Sequence, residues 1–223
     1  MEVVQAIKQS FRDDFNGSDI DTNIWDLTLG PGMLCTVSGG KLNIDTGVTG
    51  NSETILLSKN AYHFPSLLYA LVSLSQRIAN QEFYIELIDK DNQNRCGWLL
   101  DGTTATNGKY FNQNSGLTTT SAASTIVTTA SNTILEIEAF RDDVNFHSRT
   151  LNGNRSNSYV LQENVPDPAV QYYIRIRVKN TGTPASSTTF AIDAVSIMDI
   201  TDLFMEITGG RGGLQQLNLS QLL

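Results

Sequence analysis

Apolar and polar residues alternate with period two in one segment of this chain after another. Between Glu82 and Ile88, Phe83, Ile85 and Leu87 fall on one side and Glu82, Tyr84 and Glu86 on the other. From Ile134 to Phe140, Leu135, Ile137 and Ala139 oppose Glu136 and Glu138, and Tyr173 to Lys179 repeats the device with Arg175, Arg177 and Lys179 as its polar face. Between Thr188 and Ile197 the same reading puts Phe190, Ile192, Ala194 and Ser196 on one face. Only a strand sends successive side chains to opposite sides, so this recurrence predicts half-buried strands in antiparallel sheets. Turn-forming pairs separate the segments: Asn16-Gly17, Gly39-Gly40, Gly50-Asn51, Asp101-Gly102, Asn107-Gly108, Asn152-Gly153 and Thr181-Gly182. Such pairs accept the positive φ of tight turns. Strand-length runs at this spacing predict an all-β fold, a two-sheet antiparallel sandwich of jelly-roll type.

A sandwich of 223 residues forms one core. The expected organisation is an N-terminal arm over 1–9, a β-sandwich over 10–200 and a C-terminal arm over 201–223. In the last of these, Gly209, Gly210, Gly212 and Gly213 surround Arg211 and make a flexible joint. Beyond it Leu214, Leu217, Leu219, Leu222 and Leu223 alternate with uncharged polar residues. Each leucine offers about 1.5–3 kcal/mol on burial, against about 1–2 kcal/mol per residue of backbone ordering. The arm is therefore expected to dock by also making backbone hydrogen bonds, as in strand addition to a neighbouring subunit.

The formal net charge of -8, with no dense basic window, argues against a nucleic-acid partner. No run approaches the ~18 apolar residues of a membrane span. The opening Met1 to Phe15 lacks a basic flank followed by an apolar run, so no signal peptide and folding in a cytoplasm are expected. Cys35 and Cys96 are expected as reduced, packed thiols.

The stretch Phe11-Arg12-Asp13-Asp14-Phe15-Asn16-Gly17, followed by Ile20-Asp21 and Trp25, resembles the first strand and turn of concanavalin-A-like sandwiches, laminarinase-type glucanases included. A broader set of blocks resembles uncharacterised proteins of tailed bacteriophages and prophages. They are Leu74 to Tyr84, Gly97 to Thr103 with Lys109 to Phe111, Glu136 to Phe140 with Phe146 to Arg149, Val165 to Pro168, Arg175 to Asn180 and Pro184 to Thr188. That resemblance implies a virion-associated β-sandwich and carries no catalytic residues with it.

Glycoside hydrolysis needs two carboxylates, about 5–5.5 Å apart for retention and ~6.5–9.5 Å for inversion. Laminarinase-like enzymes place theirs as E-x-D-x-x-E on one strand, a string this sequence lacks. Glu136 and Glu138 lie about 6.6 Å apart by strand rise, but two glutamates on the wet face of a strand are commoner as solubilising groups. Asp19, Asp21 and Asn23 begin like a calcium loop, yet Ile24 and Gly30 stand where glycine and glutamate are required, and Asp89, Asp91 and Gln93 fail alike at Asn94. Both sets read as Asx turns. His63 and His147 have no second ligand at zinc spacing. No metal, cofactor or catalytic residue is expected. Tyr110, Asn112, Gln113 and Asn114 mix an aromatic with amides and form the candidate glycan contact; Trp25 and Trp98 are expected in the core.

These observations lead to the expectation of a non-enzymatic virion protein, a capsid decoration or cement protein assembled in a host cytoplasm. Its partners would be the major capsid protein or another virion subunit and further copies of itself as a dimer or trimer, with Arg211 and the five tail leucines docking. The alternative is a tail-associated or receptor-binding lectin-like module recognising a host surface glycan; a polysaccharide hydrolase ranks third.

Overall fold

The computed structural model describes residues 9–102, 107–126, 128, 129, 131–151, 153 and 157–200. Among the described residues sixteen strands, numbered along the chain, form two eight-stranded sheets, and there is no α-helix. The first sheet runs β14 (Asn157–Leu161), β13 (Val144–Thr150), β12 (Thr133–Ala139), β6 (Ser66–Leu74), β16 (Thr189–Asp199), β4 (Leu42–Asp45), β3 (Leu34–Val37). β1 (Gln9–Asp13) continues the edge of β16 beyond β4. The second sheet runs β10 (Leu117–Thr120), β9 (Asn107–Asn114), β8 (Arg95–Asp101), β7 (Gln81–Asp89), β15 (Tyr172–Asn180), β5 (Glu53–Ser58), β2 (Trp25–Thr28), with β11 (Ser124–Thr125) also on β9. Every strand pairing within the sheets is antiparallel. The expected all-β sandwich is thus the observed fold. The candidate docking residues Arg211, Leu214, Leu217, Leu219, Leu222 and Leu223, and the N-terminal arm before Gln9, lie outside the described residues.

The core lies between the sheets because each strand turns its apolar set inward. Phe83, Ile85 and Leu87 of β7 and Ile174, Ile176 and Val178 of β15 meet Leu68, Ala70 and Val72 of β6 and Phe190 and Ile192 of β16, all buried. Phe83 and Phe190 pack with ring centroids 5.4 Å apart. Trp98 on β8 meets Phe146 on β13 edge-on at 5.6 Å, and its Nε1 donates to the Glu136 carbonyl at 3.1 Å. Burial without that acceptor would leave the indole N–H unsatisfied. Truncating such an aromatic to alanine costs about 3–5 kcal/mol.

The opening motif has a physical reason. Asp13 Oδ2 accepts from Trp25 Nε1 at 2.8 Å while its Oδ1 accepts from the Phe15 backbone N–H at 2.8 Å. Phe15 stacks on Trp25 at 6.2 Å and Phe11 meets it edge-on at 5.6 Å, so this unit seals one end of the core. At the β3–β4 hairpin, Gly39 and Gly40 have φ of 62° and 69°, as two-residue type I′ turns require.

One face assignment changes. The alternation in β16 breaks at a bulge between Ile192, opposite Val72, and Ala194, opposite Leu71. The extra residue, Asp193, turns out to Lys41, 2.9 Å away, and shifts the phase. Val195 and Ile197 therefore join the core in place of Ala194 and Ser196. Cys35 and Cys96 are unbridged, and burial raises the Cys35 thiol to about 12.

Candidate functional site on the outer face of the second sheet

The β7–β8 hairpin sets the geometry. Asp89 closes its loop three ways: its N–H reaches the Asn94 carbonyl, its Oδ1 accepts from the Gln93 N–H at 2.8 Å, and its Oδ2 accepts from Asn94 Nδ2 at 2.8 Å. This fixed loop pairs Glu82 with Asp101, Tyr84 with Leu99 and Glu86 with Gly97. On the other side, β15 places Lys179, Arg177 and Arg175 against the same three β7 residues. Directly opposed residues share a face. Since Phe83 and Leu100 point into the core, Glu82, Asp101, Tyr84 and Glu86 all point outward with the three cations.

The middle of this face is a buried ion cluster. Glu86 is 0% exposed although it points away from the core, because arginines close over it. Arg175 Nε donates to Glu86 Oε1 at 2.7 Å, Arg177 Nε lies 3.3 Å from the same oxygen, and Arg95 Nη1 lies 3.5 Å from Oε2. Gly97 makes room: a Cβ there would stand 2.5 Å from the Glu86 Cβ and 2.8 Å from the Ile85 carbonyl oxygen. Arg177 also lies over the Tyr84 ring at 3.8 Å and reaches Glu53 at 3.3 Å, and Arg95 lies over Phe111 at 5.0 Å. Burial lowers the pKa of Arg95, opposed by Glu86 and reinforced by Arg177 and Arg175.

One end of the face is different. Glu82 and Asp101 are half-buried cross-strand neighbours of like charge. Directly opposed side chains have Cβ atoms about 4.5–5.5 Å apart, and like charges there are unfavourable. Tyr84 donates its hydroxyl to Glu82 Oε2 at 2.7 Å, and Lys109 Nζ lies 3.9 Å from Asp101. Burial first, then the hydrogen bond to Glu82, raises the Tyr84 phenol above its ordinary range, so it remains a donor.

The other candidates are committed elsewhere. On the outer face of the first sheet, Glu136 lies 3.6 Å from Arg149, and Glu138 lies 3.4 Å from His147; both glutamates are buried rather than wet. Tyr110, Asn112, Gln113 and Asn114 do not converge. Tyr110 stacks between Phe146 at 4.9 Å and Tyr159 at 4.7 Å. Asn112 Nδ2 and Asn114 Nδ2 donate inward to the carbonyls of Leu161 and Val165. Gln113 faces outward, accepting from Arg95 Nε at 2.7 Å and donating to the Asn92 carbonyl at 2.9 Å. The Asp21 side chain caps the Asn23 N–H at 2.8 Å, an Asx turn. Among the described residues, no group of three or more His, Cys, Asp and Glu side chains is placed to hold a metal. Sequence reasoning put Glu82 and Glu86 on one strand face; it missed Asp101 and the arginines as their neighbours, because strand pairing joins them across the chain.

No protein-family model matches the sequence, and comparison with curated proteins finds no match. Similar folds occur among solved structures. One, from work on endo-acting O-glycanases that initiate mucin breakdown in members of the human gut microbiota, superposes with a TM-score of 0.68 at 13% identity, covering 85% of this chain and 98% of that one. The endo-β-1,3-glucanase of Pyrococcus furiosus gives 0.67 at 12% identity over 86% of this chain and 94% of that one. The laminarinase catalytic domain of Thermotoga petrophila RKU-1 gives 0.66 at 12% identity, covering 86% and 98%. These likenesses carry the jelly-roll fold. They also correct the functional expectation: the structural neighbours are glycan-cleaving enzymes rather than virion proteins, which overturns the phage resemblance, the capsid-decoration reading, its non-enzymatic character and the ranking that put hydrolysis last.

Proposed function

We propose that this protein hydrolyses a polysaccharide laid across the outer face of the second sheet, with Glu82 and Asp101 as the reacting pair. The observation that carries this reading is their register: two half-buried carboxylates directly opposed on adjacent strands. Cross-strand Cβ spacing of about 4.5–5.5 Å suits the roughly 5–5.5 Å carboxyl separation of a retaining reaction. The Tyr84 hydroxyl donates to Glu82 and holds its carboxylate in place, which suits Glu82 as the nucleophile and Asp101 as the proton-transfer partner. Lys179 stands opposite Glu82 on the other neighbouring strand and Lys109 lies 3.9 Å from Asp101, so the pair of carboxylates sits between cations. The likeness in fold to endo-β-1,3-glucanases and O-glycanases supports the substrate class.

The test is release of new reducing ends by the full chain from β-1,3-glucan and from mucin-type glycan, followed by product size. The reading expects turnover of at least one, with internal cleavage giving oligosaccharides. No release from either across pH 4 to 9 would overturn it.

A further inference from the structure

We propose that the arginine cluster beside the reacting pair is a subsite for an acidic group, carboxylate or sulfate, borne on the glycan. This rests on the proposed polysaccharide substrate. Three guanidinium groups, Arg95, Arg175 and Arg177, converge on Glu86, and among the described residues Glu53 adds a second carboxylate in ion-pair contact with them. One positive charge is left in excess, on a chain whose formal net charge is -8. Arg175 and Arg177 serve Glu86 Oε1 and Arg95 approaches Oε2 at 3.5 Å, while burial first and then the neighbouring arginines lower the Arg95 pKa. Arg175 Nη2 has no hydrogen-bond acceptor and Arg177 Nε has only its 3.3 Å approach to Glu86 Oε1; both atoms are buried, so Arg95 is the member of the cluster that meets solvent. A planar guanidinium fork at the solvent edge of such a cluster, here Arg95, suits recognition of a carboxylate or sulfate.

The placement suits a polymer. Glu86 lies four residues from Glu82 on the same strand face, about 13 Å by strand rise, a span for several linked sugars rather than one ring. Arg95 is the outermost of the three, with 20% of its side chain exposed, and is positioned by Gln113 and Phe111. Tyr173, half-buried and outward on the neighbouring strand, lies in the same row as Arg95 across Ile88. An arriving acidic group meets a positive spot inside an otherwise acidic molecule, which makes the attraction local rather than a property of net charge.

The experiment titrates the full chain with one β-1,3-glucan in three forms: unmodified, carboxymethylated and sulfated. The expected result is at least tenfold tighter binding of one or both acidic forms at low salt, the preferred form identifying the group. That advantage falls below threefold in 0.5 M NaCl, where screening shortens to a few ångströms. Arg95→Gln reduces the preference at least fivefold. Arg175→Lys, which keeps the charge but loses the fork, guards against a variant that does not fold, and also lowers the preference. Equal binding of the three forms, or a wild-type preference in both folded variants, overturns the subsite. Acidic preference without any cleavage would keep the subsite and sink the proposed reaction; cleavage of neutral glucan without acidic preference would do the reverse.

Discussion

Glu82 and Glu86 stand on the same strand and face, four residues apart, yet their surroundings are opposite. Glu86 is sealed under three arginines and next to a glycine that could not carry a side chain. Glu82 is half-buried, accepts from one phenol, and stands between Asp101 on one neighbouring strand and Lys179 on the other. A carboxylate enclosed in cations and shielded from water is a structural charge; it has neither the access nor the freedom of protonation that catalysis needs. A carboxylate left beside a like charge is electrostatically costly, and that cost is what reactive pairs exploit. The same residue type on one face therefore separates into a part that holds the sheet and a part open to chemistry.

The contrast can be broken first at Glu86. Replacing it with glutamine leaves three guanidinium groups facing a neutral amide, and stability should fall by about 3–5 kcal/mol, read by urea unfolding. A loss below about 1 kcal/mol would mean that the cluster is a solvated surface network. Gly97→Val attacks the same point from the neighbouring strand. The new side chain meets the Glu86 Cβ and the Ile85 carbonyl, so overpacking should cost about 1–3 kcal/mol, while a wild-type unfolding midpoint would show that the strands separate freely there. At the other end, Glu82→Gln should change stability by no more than about 1 kcal/mol, because a half-exposed group with a like-charged neighbour has little to lose.

A smaller effect sharpens the account of Tyr84. Its phenol is raised mainly by burial and then by its bond to Glu82. In the folded protein it keeps its proton at pH values where the unfolded chain releases it near 10. Its contribution to stability is thus complete below about pH 10 and lost as pH rises further. In Glu82→Gln, tyrosinate absorbance at 295 nm should show this phenol ionising at lower pH than in wild type, yet still above an ordinary tyrosine. Unchanged titration would remove Tyr84 as the partner of Glu82.

Much of this molecule is legible in its sequence. Period-two alternation marks β7, β12 and β15 and assigns their faces, but only β15 also alternates in burial; in β7 and β12 the outward side chains are covered too, by the ion pairs on each outer face. It misassigns β16 beyond Ile192, since a bulge adds one residue without a sequence signal strong enough to place it. The amide cluster at Tyr110 to Asn114 shows the opposite lapse: composition groups these residues, while strand alternation divides them between the core side and the outer face. The candidate site is the least legible part. Arg175 meets Glu86 across 89 positions of chain, and Asp101 meets Glu82 only because the Asp89 loop fixes the hairpin register. Neither pairing is a local property.

The most direct test of the central claim compares turnover of one polysaccharide by Glu82→Gln and Asp101→Asn with that by Glu136→Gln and Glu138→Gln, each confirmed as folded. The account predicts that either substitution in the first pair lowers the rate by roughly 10²–10⁴-fold, and that both in the second pair stay within about threefold of wild type. Full activity in Glu82→Gln and Asp101→Asn, with loss in Glu136→Gln and Glu138→Gln, would contradict it and move the chemistry to the first sheet.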